Sequence, residues 1–352
     1  MVTTVERKPK YQSIREALKE EILGGKLSAL SETEIIYRFH VSSITARRVL
    51  NELKNDGLLE RRRGKGSTVI RRPSAPRELG ILTFNVVNPE QSTIAGIVDS
   101  IEEESLKYNI QLHIYTTRGV PLTQNPDSSV SHLILTRKIG GICVLSPLPV
   151  SDLLFLQKER IPFVVGINRY PRLRVSTVIF DIEYAVRETA ERLWRSGRRK
   201  ISLIAHPTQD DYVQRTGTFM LNGYRDFLRE HSLPCTEQMI KVRPVRDDIP
   251  YEDVELSLIK EFHALPEEAR PEVIFGFSWE MRAKALDYLH RQTDWKPVLV
   301  PLTYEEIEHP SYVLLPTHEF GKTMYDLLER TSATGEPECR TITPRVCYKE
   351  AI

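Results

Sequence analysis

Cysteine is scarce in this chain, four in 352 residues, and Cys143, Cys235, Cys339 and Cys347 stand far apart, in no C-x-x-C or C…H-x-x-x-H spacing. Neither a disulfide scaffold nor a zinc site is expected. No apolar run approaches the ~20 residues that span a bilayer, and the opening MVTTVERKPK lacks the apolar stretch of a signal peptide, so a cytoplasmic protein is expected. The chain also lacks G-x-G-x-x-G after a first strand, G-x-x-x-x-G-K-[ST], G-x-S-x-G and H-E-x-x-H. Its nine histidines are dispersed without ligand-like spacing, and isolated ones such as His113 and His206 read as ordinary polar or core residues. No enzyme, cofactor or metal is predicted.

What is present is a globular composition, 40% hydrophobic and 28% charged, which argues against disorder. At this length one small and one larger domain are expected. The net charge of +1 hides an asymmetry: residues 1–72 hold 16 Lys and Arg against 9 Asp and Glu, leaving 33 against 39 for the remainder. A module of net +7 is thus joined to one of net −6. Clustered positive charge suits a polyanion, because neutralising phosphates releases condensed counterions. Nucleic acid is therefore assigned to the first 72 residues, and the helices and hairpin they contain narrow it to double-stranded DNA.

From Tyr11, Ile14, Leu18 and Ile22 recur every four positions, one face of a helix that Gly24-Gly25 terminates. Ser31-Glu32-Thr33-Glu34 forms a capping box opening a second helix that ends near Phe39-His40. A third helix begins after Val41 with Ser42 or Ser43 as cap, and Ala46, Val49, Leu50 and Leu53 share its core side. The opposite side presents Ile44, Arg47 and Arg48, flanked by Ser43 and Thr45, near the end where base edges are touched. Arg47 and Arg48 in isolation would read as solvated charges. Their context, two short helices before and a basic hairpin after, assigns them to DNA. Ile44 has two readings, contact with a thymine methyl or packing against the turn. In the hairpin, Arg61, Arg62, Arg63 and Lys65 would repel one another unless an anion lay alongside, while Gly64 and Gly66 permit a tight turn.

The stretch ALSETEIIYRFHVSSITARRVLNELKNDGLLERRRGKGSTV resembles the GntR-type winged helix-turn-helix. The resemblance implies DNA contacts at Thr45 and Arg47 of the recognition helix and at a Gly64-Lys65-Gly66 wing tip, with Ser42 and Ser43 beside them. Ala29 and Ser43 depart from that pattern, where Pro and Arg are common. The domain is placed at residues 1–70.

Arg71-Arg72-Pro73-Ser74-Ala75-Pro76-Arg77 reads as a linker, residues 71–77. Beyond it, ELGILTF, IQLHIYT, GGICVLS, FVVGI, TVIFD, KISLIA, EVIFGF, PVLVPL and YVLLP read as buried parallel strands. Helical spacing between them covers residues 94–108, 184–196, 217–230, 281–291 and 321–330. The predicted fold class is α/β: a small winged helix-turn-helix plus a two-lobed parallel domain over residues 78–352, with ligands at the strands' carboxyl ends.

The order of segments resembles the LacI-type effector domain, related to periplasmic sugar-binding proteins. Its landmarks are Asn88-Pro89, GICVLSP from Gly141, VIFD from Val178, SGRRKI from Ser196, Asn222-Gly223-Tyr224, and Pro316 with Gly321. A GntR-like reader on a LacI-like sensor is similar to the arabinose-repressor-like regulators of bacteria. That resemblance implies a homodimeric transcriptional regulator, a repressor released from operator DNA by a small molecule such as a carbohydrate. Met220 stands where sugar-binding members carry Arg, and Ser278-Trp279 where they carry Asn-Asp, so two strong hydrogen-bonding groups are replaced. Trp279 reads equally as a stacking platform or as packing. Asp181 is a polar effector candidate or a helix cap, and Tyr212, Arg215 and Tyr304 are further candidates from nearby loops. The altered cleft sustains a second reading, a DNA-binding regulator whose large domain only dimerises or binds protein.

Overall fold

The computed structural model describes residues 10–23, 27, 29–55, 58–62, 66–69, 78–83, 93–116, 121–124, 131–132, 139–206, 212–236, 239–243, 251–278 and 283–348. Its Cα framework divides into two compact units, residues 1–76 and 77–352. Gly24-Gly25, the linker at 71–77 and Asn88-Pro89 lie outside the described residues.

The small unit contains α1 (Lys10–Leu23), β1 (Ala29–Leu30), α2 (Glu32–Phe39), α3 (Ser43–Asn55), β2 (Leu59–Arg62) and β3 (Gly66–Val69). Its sheet runs β1-β3-β2, with both pairings antiparallel. Ile14, Leu18 and Ile22 of α1 meet Ile35 of α2 and Ala46, Val49, Leu50 and Leu53 of α3 in one core. These are the stripes that fourfold and three-to-four spacing places on one helix face. Ser31 caps α2 by accepting from the Glu34 amide at 3.1 Å. For α3 the cap is Ser42, whose hydroxyl accepts from the Thr45 amide at 3.3 Å and lies 3.0 Å from the Thr45 hydroxyl. The turn between α2 and α3 passes through His40 at φ 49° and ψ 56°, a left-handed conformation in a residue with a Cβ.

The large unit carries two six-stranded sheets. The first is built from β4 (Glu78–Thr83), β5 (Gln111–Thr116), β6 (Gly141–Val144), β7 (Phe163–Gly166), β8 (Ser176–Phe180) and β14 (Cys339–Ile342), in the order β14-β8-β7-β6-β4-β5 and parallel throughout. The second contains β9 (Ile201–Ala205), β10 (Ile240–Val242), β11 (Val273–Ser278), β12 (Val298–Thr303), β13 (Ser311–Leu314) and β15 (Arg345–Tyr348), in the order β10-β9-β11-β12-β13-β15. Only β15 runs antiparallel to its neighbour. β6, β7 and β8 are buried along their whole length, as near-continuous apolar runs in covered parallel sheets must be.

The helices are α4 (Thr93–Lys107), α5 (Val150–Lys158), α6 (Ile182–Arg195), α7 (Thr216–Glu230), α8 (Tyr251–His263), α9 (Ala283–Arg291) and α10 (Thr317–Thr334). α10 follows the second sheet yet packs on β6, β7 and β8 of the first and against α4, so the chain returns to the first lobe late. α6 and α7 lie so close that a Cβ on Gly223 would sit 2.3 Å from the Glu183 carbonyl oxygen. Beside it, Tyr224 is fully buried with its hydroxyl donating to the Ile201 carbonyl, and burial raises its pKa. Among the described residues no helix is long and apolar enough to cross a membrane.

His40 generates a stability prediction. A left-handed conformation costs an L-residue ~1–2 kcal/mol, while glycine adds ~0.5–1 kcal/mol of unfolded-state entropy. His40→Gly is therefore expected to stabilise the small unit by about 0.5–1 kcal/mol, read by calorimetry of the full chain. A lower midpoint in the variant would mean that the imidazole makes contacts outweighing the backbone strain.

Candidate functional site

The exposed side of α3 is set by its buried one. With Ala46, Val49, Leu50 and Leu53 turned inward, Ser43, Ile44, Arg47, Arg48 and Asn51 face solvent. Ile44 is 79% exposed, which removes the packing reading and leaves an apolar side chain at the outer pole of the helix. It stands beside Arg47 and Arg48 on the same exposed face of α3.

The two arginines differ in how they are held. Arg47 Nε donates to both carboxylate oxygens of Glu32, at 3.0 Å each, across from α2. Among the described residues only the inner nitrogen of the guanidinium is engaged, so the two terminal amino groups keep the fork geometry that matches guanine O6 and N7. Arg48 lies over the Tyr11 ring, with Cζ 3.7 Å from the centroid, and its Nε is 3.4 Å from Glu52 Oε1. It therefore ties α3 to α1 as well as facing solvent.

The predicted hairpin has its strands in antiparallel register, Arg61 opposite Ser67 and Arg62 opposite Gly66. Arg63, Gly64 and Lys65 fall outside the described residues, as does Trp279.

In the large unit one segment joins the two lobes. The segment before α7 reaches into the first lobe: Val213, 4% exposed, joins the cluster containing Leu148 and Tyr170. Arg169 and Gln214 exchange two backbone hydrogen bonds, at 2.9 and 2.7 Å. Tyr212, 49% exposed, lies under the Arg172 guanidinium at 5.0 Å. The Tyr170 hydroxyl accepts from the Leu148 amide and donates to its carbonyl, both at 2.8 Å, which fixes the receiving surface.

Asp181 follows β8 and caps α6, with Oδ1 accepting from the Tyr184 amide at 3.1 Å, so the capping alternative is realised. Arg215 occupies the N-cap position of α7 without a side-chain cap bond, and its Nε is buried with no hydrogen-bond partner among the described residues. Thr218 Oγ1, one turn into α7, and Ser146 Oγ, just beyond β6, share that condition. A buried donor or acceptor left unmade costs ~1–3 kcal/mol, so these three atoms call for water or a polar ligand. Ser146 and Thr218 were not singled out from the sequence; Ser146 was legible only as the residue following a buried strand.

Met220 is buried among the apolar residues of α7, 5% exposed, and Tyr304 is half-buried just after β12. His206, after β9, is buried with Nδ1 2.9 Å from the Arg243 carbonyl; burial lowers its pKa, against a smaller opposing effect of that bond. Burial thus favours its neutral form. The Cys143 thiol is fully buried and pushed up to about 12, which removes it as a nucleophile. No group of three or more His, Cys, Asp or Glu among the described residues is placed to hold a metal.

Comparison with known proteins gives a match for residues 10–69 to the family described as bacterial regulatory proteins, gntR family. The chain is 28% identical over 147 residues to a probable HTH-type transcriptional regulator, EndR, of Paenibacillus polymyxa, covering 41% of this chain and 42% of that protein. It is 22% identical over 297 residues to the arabinose metabolism transcriptional repressor of Geobacillus stearothermophilus, covering 81% and 78%. Among solved structures, a regulatory protein of the LacI family from Chloroflexus aggregans superposes with a TM-score of 0.62 at 19% identity, over 77% of this chain and 96% of that one. The cellobiose complex of the transcriptional regulator CelR does so at 0.62 and 22% identity, over 88% and 91%. The chain thus joins a GntR-type helix-turn-helix domain to a two-lobed unit with the LacI-like, periplasmic-binding-protein type of fold.

Proposed function

We propose that this protein is a sequence-specific DNA-binding transcriptional regulator, a repressor, controlled by a small polar molecule held between the lobes of its large unit. The observation that carries the reading is the outer face of α3 within the segment matching the GntR family: an exposed Ile44 beside Arg47, whose fork is steadied by Glu32. An exposed ion pair holds by ~0–1 kcal/mol, so Arg47 exchanges part of it for a base edge at little cost. Ser42, Ser43 and Thr45 lie at the same helix end, and Arg61, Arg62, Arg63, Lys65 and Gly66 supply the wing. The relatives are regulators and repressors by name, so the chain works by binding and not by catalysis.

The effector is proposed to be a carbohydrate. Supporting this are the arabinose-metabolism and cellobiose-bound relatives and the unpaired polar atoms of Ser146, Arg215 and Thr218. Asp181, Tyr212, Trp279 and Tyr304 complete the proposed lining, while Met220, buried among the apolar residues of α7, drops out of it. A ligand preferring one arrangement of the lobes shifts operator affinity by its differential affinity for the two states. The second reading, a large unit that only dimerises or binds protein, is favoured by the burial of Met220, which offers a cleft ligand no hydrogen bond.

The assembly is proposed to be a homodimer. On the first lobe, Leu106 of α4 is 69% exposed and Ile114, on the outer strand β5, is 49% exposed. Both are large apolar side chains left exposed on this lobe, and β5 is the last described strand of its sheet, a surface that suits a partner of the same kind.

Arg47→Ala is expected to weaken operator binding by ~1–3 kcal/mol, the range for one bidentate base contact, with scrambled DNA little affected. Lys65→Ala should weaken both and reduce the salt slope by about one. Gel shifts at several salt concentrations read this, and unchanged operator affinity in Arg47→Ala would remove α3 from the major groove.

A carbohydrate panel tests the cleft. Ligand at ~100 times its dissociation constant adds ~2.7 kcal/mol, so one sugar should raise the melting temperature and release operator DNA, and Arg215→Ala should abolish both effects. Silence across the panel would favour the second reading.

Leu106→Asp with Ile114→Asp is expected to convert dimer to monomer in sedimentation velocity. A wild-type chain sedimenting as a monomer at micromolar concentration would overturn the dimer.

A further inference from the structure

At the end of the first lobe opposite the cleft, a recess of about 350 Å³ opens beside Phe163, the first residue of β7. Its floor is apolar: Ile161 and Phe163 are buried there, with Pro337 alongside. Thr331 of α10 also lines it, its hydroxyl 2.6 Å from that of Ser176. Two exposed arginines, Arg160 and Arg174, complete the lining, and neither guanidinium has an ion pair or hydrogen bond among the described residues. Elsewhere exposed arginines are commonly matched, as in Arg192 with Glu188, Arg195 with Glu191 and Arg340 with Glu338. Two unmatched cations over an apolar floor present a positive potential to any small molecule that fits.

The backbone adds a second, independent observation. Arg160 follows the end of α5 with φ +57°, in the left-handed region, where its amide and that of Ile161 close the helix onto Gln157 and Leu156. Glycine is the ordinary residue at such a helix end, and α10 uses it, Gly335 at φ +71°. An arginine there carries a backbone cost that glycine avoids, ~1–2 kcal/mol. Strain retained on a residue that lines a recess points to use of its side chain.

We propose that this recess binds a small organic anion, a carboxylate or phosphate ester on an apolar body, whose charge is gripped by Arg160 and Arg174 while the body covers Phe163 and Ile161. The site is separate from the cleft: it lies at the amino ends of β7 and β8, whereas the cleft residues follow carboxyl ends. Its volume falls near the lower end of the ~300–1,000 Å³ of ligand pockets, which sets the body at about one ring. Guanidinium forks bind carboxylate and phosphate alike, so the anion type is open to both.

Titration calorimetry of the full-length protein with benzoate, phenyl phosphate and inorganic phosphate tests this. Benzoate, phenyl phosphate or both should bind, more tightly than inorganic phosphate, and comparison of the two gives the preferred anion. Arg174→Ala should weaken binding by about tenfold, the loss for one charge-assisted hydrogen bond. Arg160→Gly separates site from scaffold, because it should melt no lower than wild type while losing a similar factor. Arg215→Ala, in the cleft, should leave this binding intact. Absence of heat with both organic probes at millimolar concentration, affinity unchanged from wild type in the Arg160 and Arg174 variants, or loss in Arg215→Ala would each overturn the proposal.

Discussion

The large unit depends on where its chain changes lobes. It does so three times, from β8 to α6, from β13 to α10 and from β14 to β15. All three passages lie at strand carboxyl ends: Ile342 pairs with Phe180, and Arg345 pairs with Leu314. Two of them are bonded directly, the Asp181 amide donating to the Ile342 carbonyl at 2.8 Å. Three neighbouring connections define an axis, and polar groups placed near that axis feel any rotation of one lobe against the other. Ser146 and Asp181 both follow carboxyl ends of strands in the first sheet, while Arg215 opens α7 of the second lobe.

The small unit works by a different economy of contacts. Its α3 is anchored on one side by an apolar core and at its flanks by two arginines with unequal duties. Arg48 is spent on Tyr11 and Glu52, holding α3 to α1. Arg47 is held through one nitrogen by Glu32 and keeps its terminal groups for another partner. Side-chain order before binding lowers the entropy lost on binding.

Much of this was legible in the sequence, for reasons specific to each element. The small unit follows from apolar spacing and capping residues, because local periodicity and caps decide short helices. The nine segments read as buried strands are all strands, most of them because a parallel strand covered on both faces needs a continuous apolar segment, but β5 is a sheet-edge strand with no buried residue, so its reading as buried was wrong. β10, β14 and β15 escaped for the opposite reason: each is a sheet-edge strand, half-exposed and mixed in composition. α5 and α8 escaped because no expectation was attached to their stretches. Asp181 could be read as ligand or cap, and only the 3.1 Å bond to Tyr184 establishes the cap. Ile44 was ambiguous because exposure is a property of the assembled helices, absent from any local pattern. Arg47 and Arg48 looked alike in the sequence, since Tyr11 and Glu32 are brought to them only by tertiary packing.

The segment around Val213 has a consequence for traffic into the cleft. With Val213 embedded in the first lobe and Gln214 bonded to Arg169, that margin is stitched shut. The ligand proposed between the lobes meets two backbone bonds and an apolar plug at this margin. The stitching makes the cleft behave as a hinged purse, and residence time becomes a property of the seam as much as of the contents.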